Sequence, residues 1–491
     1  MIWVFAIGTV YAARIVDKKA PIQSTPTVDD FTCGGSIESA TWKLWEQRGL
    51  PFLRERLIGV RLQEQGDTYA LYDMQTYFDS LVALAQRCQR FERMQQMADA
   101  LMPLFERLEA LPSNSTQRAW ICRGGAICNT RNRLINTEVM LVSVQGLGLL
   151  SHLAQVMAAN KRDSVRSHPF VAATGQTAAQ HLMRWGDVAK RTYWQRLTQA
   201  SPSDVKDSNS SELFFTDHTL WMIDIYANLA GIYVHRPDLA QALLKGQQRA
   251  MADAMRDALQ FFKARTTWKP QSRMNGVQGA EVDAGYWRLY VDFRYAGYSG
   301  EEPPAVCIKQ ADGGYQALLK VDARAVPVVT DLGWDISHAR RLVHVLLALD
   351  QNRDAIKKIY ALDDHDLVMP NLTKAFAAQL LGKVWNGDKQ HPLFANYWNG
   401  TNGWYRVAYD NGTGQCHEGY PPFGLTNSFT TGGYATWGRY YVAIKELGQS
   451  LYNIALSKSD KDQTFVRQYY RDLLDPYSQL MFWPTLIGID N

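Results

Sequence analysis

Residues 70–108 read ALYDMQTYFDSLVALAQRCQRFERMQQMADALMPLFERL. Leu71, Met74, Tyr77, Phe78, Leu81, Leu84 and Ala85 recur at three- and four-residue spacing, the period that places side chains on one face of an α-helix. The pattern predicts a long helix interrupted at Pro103, where a missing N–H and a ring clash end the helical ladder. The same period recurs over 36–48, 51–63, 131–160, 170–200, 212–235, 238–264, 331–349, 372–385 and 433–456, with loop material at 201–211 and 363–366. Strand signals are confined to fragments such as 286–293 and 405–409. Helices in consecutive hairpins predict a mainly all-α chain. The expected architecture is a single (α/α) toroid over 13–491, with a few short strands in its loops and a central cavity rimmed by the loops at one end.

Outward from these helices, composition narrows the function classes. The chain has 491 residues, 46% hydrophobic and 20% charged, which is the balance of a globular protein. A net charge of +4 over this length, without a Lys/Arg block, leaves no footprint for nucleic acid. The 15 Trp and 24 Tyr exceed what folding alone requires. The first twelve residues, MIWVFAIGTVYA, form an apolar run too short to span a bilayer, and Val10 and Ala12 stand where a signal peptidase reads. They predict a leader over 1–12 and a periplasmic or secreted protein. The run 139–158 is interrupted by Ser143, Gln145, Gly146, Gly148, Ser151 and His152, so no transmembrane helix is expected.

Six cysteines, at 33, 88, 122, 128, 307 and 416, are an even number suited to an oxidising compartment. Cys122 and Cys128 bracket RGGAI, whose glycines allow a tight reversal, and a disulfide is expected there. With no C-x-x-C or H-x-x-x-H pair, no metal site is expected, and no cofactor is called for.

Residues 399–441, NGTNGWYRVAYDNGTGQCHEGYPPFGLTNSFTTGGYATWGRYY, mix glycines with ten large rings. Water-exposed rings forgo burial energy and a packed helix would not tolerate these glycines, so the stretch reads as an ordered loop. Flat rings beside amides, hydroxyls and an imidazole suit sugars, whose C–H faces stack while their hydroxyls need directional hydrogen bonds. Trp404, Tyr405, Tyr434, Trp437 and Arg439 are the binding candidates, and His417, Glu418 and Tyr420 the candidate acids. The bland alternative is a loop that plugs the core with its tyrosines.

In DLGWDISHARRLVHVLLAL, which starts at Asp331, Asp335 and His338 lie three residues apart at a helix start. That spacing lets the carboxylate orient the imidazole, as a general base requires, with Trp334 and Arg341 alongside. A capping Asp with an intrahelical ion pair accounts for the same spacing. Asp217 and His218 open another helix, and Glu281 and Asp283 precede Trp287 and Arg288, a grouping that suits either a subsite gripping a carboxylate or an ordinary helix interface.

The hairpins, the leader, the aromatic loop, the D-x-x-H element and the WYRVAYD segment together resemble the broad class of bacterial toroidal carbohydrate-active proteins, which includes polysaccharide lyases, inverting hydrolases and sugar epimerases. The resemblance is one of architecture and implies a polysaccharide or oligosaccharide substrate. A lyase acting on a uronic-acid polymer would draw its carboxylate clamp, base and acid from Arg, His and Tyr. An inverting hydrolase would pair carboxyl groups among Glu281, Asp283, Asp335 and Glu418. A non-catalytic glycan-binding or assembly protein would use the same rings without proton transfer.

Overall fold

The computed structural model describes residues 28–185, 215–284, 294–311, 314–410 and 412–489. The expected leader at 1–12, the helical pattern over 186–200, the strand signal at 286–293, Trp287 and Arg288 lie outside them. Helix makes up 58% and strand 11%, which fixes the class as mainly α.

The stretch 70–108 divides earlier than Pro103. Helix α2 (Tyr69–Arg87) ends where Gln89 adopts φ +54° and Cys88 is bridged to Cys33. Helix α3 (Phe91–Leu101) follows, then a tight turn over Met102–Arg107 that contains Pro103. Upstream stands α1 (Ser36–Leu44), and the 51–63 pattern is a wider-wound helix, Phe52–Glu64. Beyond α3 come α4 (Met140–Ala158), α5 (Pro169–Trp185), α6 (Asp217–His235) and α7 (Gln248–Arg265). A single turn, Ile336–Ala339, leads into α8 (Arg341–Gln351). The helix expected from 131 starts only at Met140, because Arg133 and Asn136 take positive φ and fold 130–137 into turns.

Strands are more numerous than the sequence suggested. They form four antiparallel two-stranded hairpins: β1 (Leu108–Leu111) with β2 (Asn114–Trp120), β3 (Thr266–Gln271) with β4 (Val277–Val282), β5 (Ala305–Lys309) with β6 (Tyr315–Leu319), and β7 (Tyr409–Asp410) with β8 (Cys416–His417). Such ribbons lack the long alternating runs that a sequence reading detects. All six cysteines pair: Cys122–Cys128 as expected, with Cys33–Cys88 and Cys307–Cys416. The last bridge ties the β5–β6 hairpin to the β7–β8 hairpin.

Hydrogen bonds across the core give the direction of each neighbouring helix. Gln145 donates to Gln75 at 3.0 Å and His152 meets Asp79 at 2.6 Å, so α4 runs the same way as α2. Asn228 donates to Ser151 at 3.4 Å and Gly148 packs under the Trp221 ring, so α6 runs with α4. Arg341 pairs with Asp217 at 3.1 Å and Asn352 donates to Asn228 at 3.4 Å, so α8 runs with α6. Arg340 donates to the Tyr72 hydroxyl at 3.2 Å and Gln351 to Gln86 at 3.1 Å, which brings α8 back to α2. Four helices thus run in one direction, their starts at one end, while α3, α5 and α7 carry the chain back between them.

α4 is the one described helix long and apolar enough to cross a membrane, and 94% of its most apolar window is buried inside the protein. The polar residues that interrupt its apolar run face a buried network. Asp79 takes His152 Nδ1 at 2.6 Å, His344 Nδ1 at 3.0 Å and the Gln75 amide at 3.1 Å. Burial opposes its charge, yet the two imidazoles hold its carboxyl below the usual carboxylate range. Asp224 receives the Asn228 amide at 3.1 Å, and burial together with the nearby Asp79 pushes its carboxyl well above the usual range.

Candidate functional site

The aromatic loop is anchored on the segment that carries the D-x-x-H pair. Asn396, fully buried, donates to the carbonyls of Gly403 (2.9 Å) and Pro421 (2.8 Å) and accepts from Leu425 N–H at 2.9 Å. Its own carbonyl accepts from Ile336 N–H at 2.9 Å. Tyr405 and Tyr420 exchange backbone hydrogen bonds of 3.0 and 2.8 Å, which turns both rings toward the helix starts. Farther along, Asn132 donates to the Gly412 carbonyl at 2.7 Å, so the 131–138 turns brace the loop.

At its centre, Asp335 serves both of the roles that its spacing allowed. Oδ1 accepts from the N–H groups of Ser337 (3.0 Å) and His338 (3.1 Å) and from the Ser337 hydroxyl, capping the turn. Oδ2 holds His338 Nδ1 at 2.5 Å. Burial would raise the Asp335 carboxyl, but His338, Ser337 and Arg406 hold it below the ordinary range. The imidazole therefore donates through Nδ1, and its Nε2 points away from Asp335.

Around His338 lies a narrow pocket lined by Tyr72, Ser337, Arg340, Arg341, Tyr405, Arg406, Tyr409, His417 and Tyr420. The Tyr405 hydroxyl lies 3.4 Å from His338 Nδ1 and accepts from Arg406 Nε at 2.7 Å. Arg406 is buried with φ +50°, two residues before Ala408 at +49°, and its guanidinium lies 4.4 Å from the Tyr409 ring centroid. Backbone held in this region costs of order 1–3 kcal/mol per residue and persists only where surroundings enforce it. Behind Arg341, buried Asp217 supplies a counter-charge at 3.1 Å. None of the described lining residues carries a carboxyl group.

Of the residues singled out in the sequence, the pocket brings together His338, Arg341, Tyr405, His417 and Tyr420, with Asp335 and Asp217 directly behind. Trp334 is buried and stands edge-on to His338, 6.4 Å between centroids. Tyr434 is buried and donates to the Ile336 carbonyl at 2.7 Å, steadying the turn. Trp404 is buried away from the pocket, its indole donating to the Gly300 carbonyl at 2.7 Å, so it packs the loop and offers no open face. Trp437 and Arg439 line a different cavity.

The carboxylates considered as a pair all lie outside this lining. Glu281 is buried with Lys269 Nζ at 2.9 Å, and Asp283, 3.8 Å from Arg265, is pushed up to about 8 by burial. Glu418 is exposed and His218 half-buried, and both lie outside the lining. Sequence reasoning missed Tyr72, Arg340 and Arg406. Tyr72 lies off the apolar stripe of α2, and that offset is the signal that could have found it. Comparison with protein-family models, characterised proteins and solved structures finds no match to this chain.

Proposed function

We propose that the protein is an exported carbohydrate-active enzyme that cleaves a uronic-acid-containing polysaccharide by base-catalysed elimination. One observation carries the reading: an imidazole oriented by a buried carboxylate faces tyrosine hydroxyls and three arginines in a pocket whose described lining is free of carboxyl groups. Elimination needs a cation on the uronate carboxylate, a base for the C5 proton and an acid for the leaving oxygen. Arg340 and Arg406 clamp the carboxylate, and Arg341, tied to Asp217, fixes the Ser337 carbonyl at 3.0 Å. His338 takes the C5 proton on Nε2. The C–H electron pair becomes the C4=C5 double bond as the C4–O bond breaks. Tyr405, whose oxygen accepts from Arg406, gives its proton to the departing oxygen.

The inverting-hydrolase reading asks for two carboxyl groups flanking a water, and the positions of Glu281, Asp283 and Glu418 give it less support. The four parallel helices are read as the inner ring of an (α/α) toroid, with the pocket at the end where they start. Paired cysteines and the apolar run at 1–12 support export.

Incubation with uronate polymers should generate an unsaturated product that absorbs in the ultraviolet. His338→Ala and Tyr405→Phe should each reduce turnover by about 10²- to 10⁴-fold while the fold persists. New reducing ends without that absorbance would replace elimination by hydrolysis. Glycan binding without turnover would leave a binding protein.

A further inference from the structure

A second cavity opens between α2 and α8, lined on α2 by its C-terminal half. Arg87 and Arg439 both line it. The Arg87 guanidinium is fixed by the carbonyls of Ile487 (3.2 Å) and Pro484 (2.5 Å) and makes no ion pair among the described residues. Burial, then the charge of Arg439, push Arg87 below its ordinary value, to about 10. Arg439 reaches Asp350 only at 3.8 Å, on the outer side. His344 stands in the same wall, its Nδ1 held on Asp79 at 3.0 Å. Trp437, 1% exposed, also lines the cavity, and its indole N–H finds no acceptor among the described residues. No described lining residue carries a carboxyl group.

Two guanidiniums converging on a space without a carboxylate repel each other, and a bound anion between them removes that cost. A buried indole N–H left without an acceptor is likewise satisfied by a ligand oxygen. We propose that this cavity binds an acidic sugar, with Arg87 and Arg439 gripping its carboxylate and the Trp437 N–H donating to a ring oxygen. The anion site stands on the cavity itself, whereas the choice of a uronate rests on the elimination reading of the first pocket. The site is separate from that pocket. α2 contributes Tyr72 to the pocket and Ser80, Ala83 and Arg87 to the cavity, about two to four turns further along.

Equilibrium dialysis of labelled glucuronate, with glucose and inorganic phosphate as comparators, tests the site. Arg439→Gln and Arg87→Met should each abolish one bound glucuronate per chain, or weaken it at least tenfold, and glucose should not bind there. Arg439 is exposed, held by the long Asp350 contact and by the Tyr440 ring 4.7 Å from its guanidinium, so its replacement leaves the fold intact even if Arg87→Met does not. His338→Ala should retain this binding. Glucuronate binding unchanged in Arg439→Gln overturns the site, as does the absence of binding by both anions. Binding of phosphate without glucuronate overturns the sugar assignment. Loss of turnover in His338→Ala with no Arg439-dependent binding would leave the elimination reading standing alone.

Discussion

Asp335 places two tasks on one carboxylate, and substitution can separate them. Ser at this position keeps an oxygen that accepts from the N–H groups of 337 and 338 but cannot reach the imidazole, whereas Ala loses both. Asp335→Ser should therefore be more stable than Asp335→Ala by about 0.5–2 kcal/mol in urea unfolding. Both should show the same loss of turnover, and recovery of rate by Ser would return the carboxylate to a cap alone. The sign with pH follows from the direction of the shift. A carboxyl held below its unfolded value of about 4 contributes its full stability above that pH, and the contribution fades as pH falls toward the folded value. The deficit of both variants relative to wild type should thus persist at neutral pH and narrow only in strong acid. At this scale the D-x-x-H pair was legible because three-residue spacing in a helix start fixes a local geometry. Tyr405 stood out as a ring, whereas Arg406 was missed, because the positive φ at 406 goes with the pairing of 405 with 420 and leaves no mark in the sequence.

Among the elements, α4 shows what periodicity conceals. Its polar and small residues, Gln145, Gly148, His152 and Gln155, recur at three and four positions, yet read along the chain they are breaks in an apolar run. Folded, they form the face that meets α2 and α6. A Cβ on Gly148 would lie 2.6 Å from the Trp221 ring, whereas on Gly175 of α5 its nearest neighbour is 3.9 Å away. Gly148→Ala should cost about 1–3 kcal/mol by overpacking. Gly175→Ala should instead be neutral or gain up to about 1 kcal/mol from helix propensity. Thermal denaturation of the two variants distinguishes them, and equal melting temperatures would mean that α6 yields at Trp221 without cost. The short hairpins escaped detection for a different reason, since β7 and β8 are two residues each and exist only because Cys307–Cys416 and the loop hold them together.

At the scale of the molecule, the helical class followed from period alone, because each helix must bury its apolar face. The partners of that face did not follow. Asp79, His152, Asp224 and His344 come from four helices, and only their shared direction assembles them. That shared direction has an electrostatic consequence. Each of the four helices carries roughly half a positive charge at its start, confined to the first turn and partly cancelled by the C-terminal ends of α3, α5 and α7, which return to the same end. The end that holds Arg340, Arg341 and Arg406 therefore gains a field from the backbone as well as from side chains, only partly offset by Asp217 and Asp335. On the elimination reading, the cluster of Arg340, Arg341 and Arg406 steers a polyanion toward that end although the whole chain carries only +4. Stopped-flow association of a uronate polymer should slow by tenfold or more between about 10 and 150 mM salt, as the screening length shrinks from about 30 to about 8 Å. A neutral glycan of the same length should associate at a rate that salt leaves unchanged.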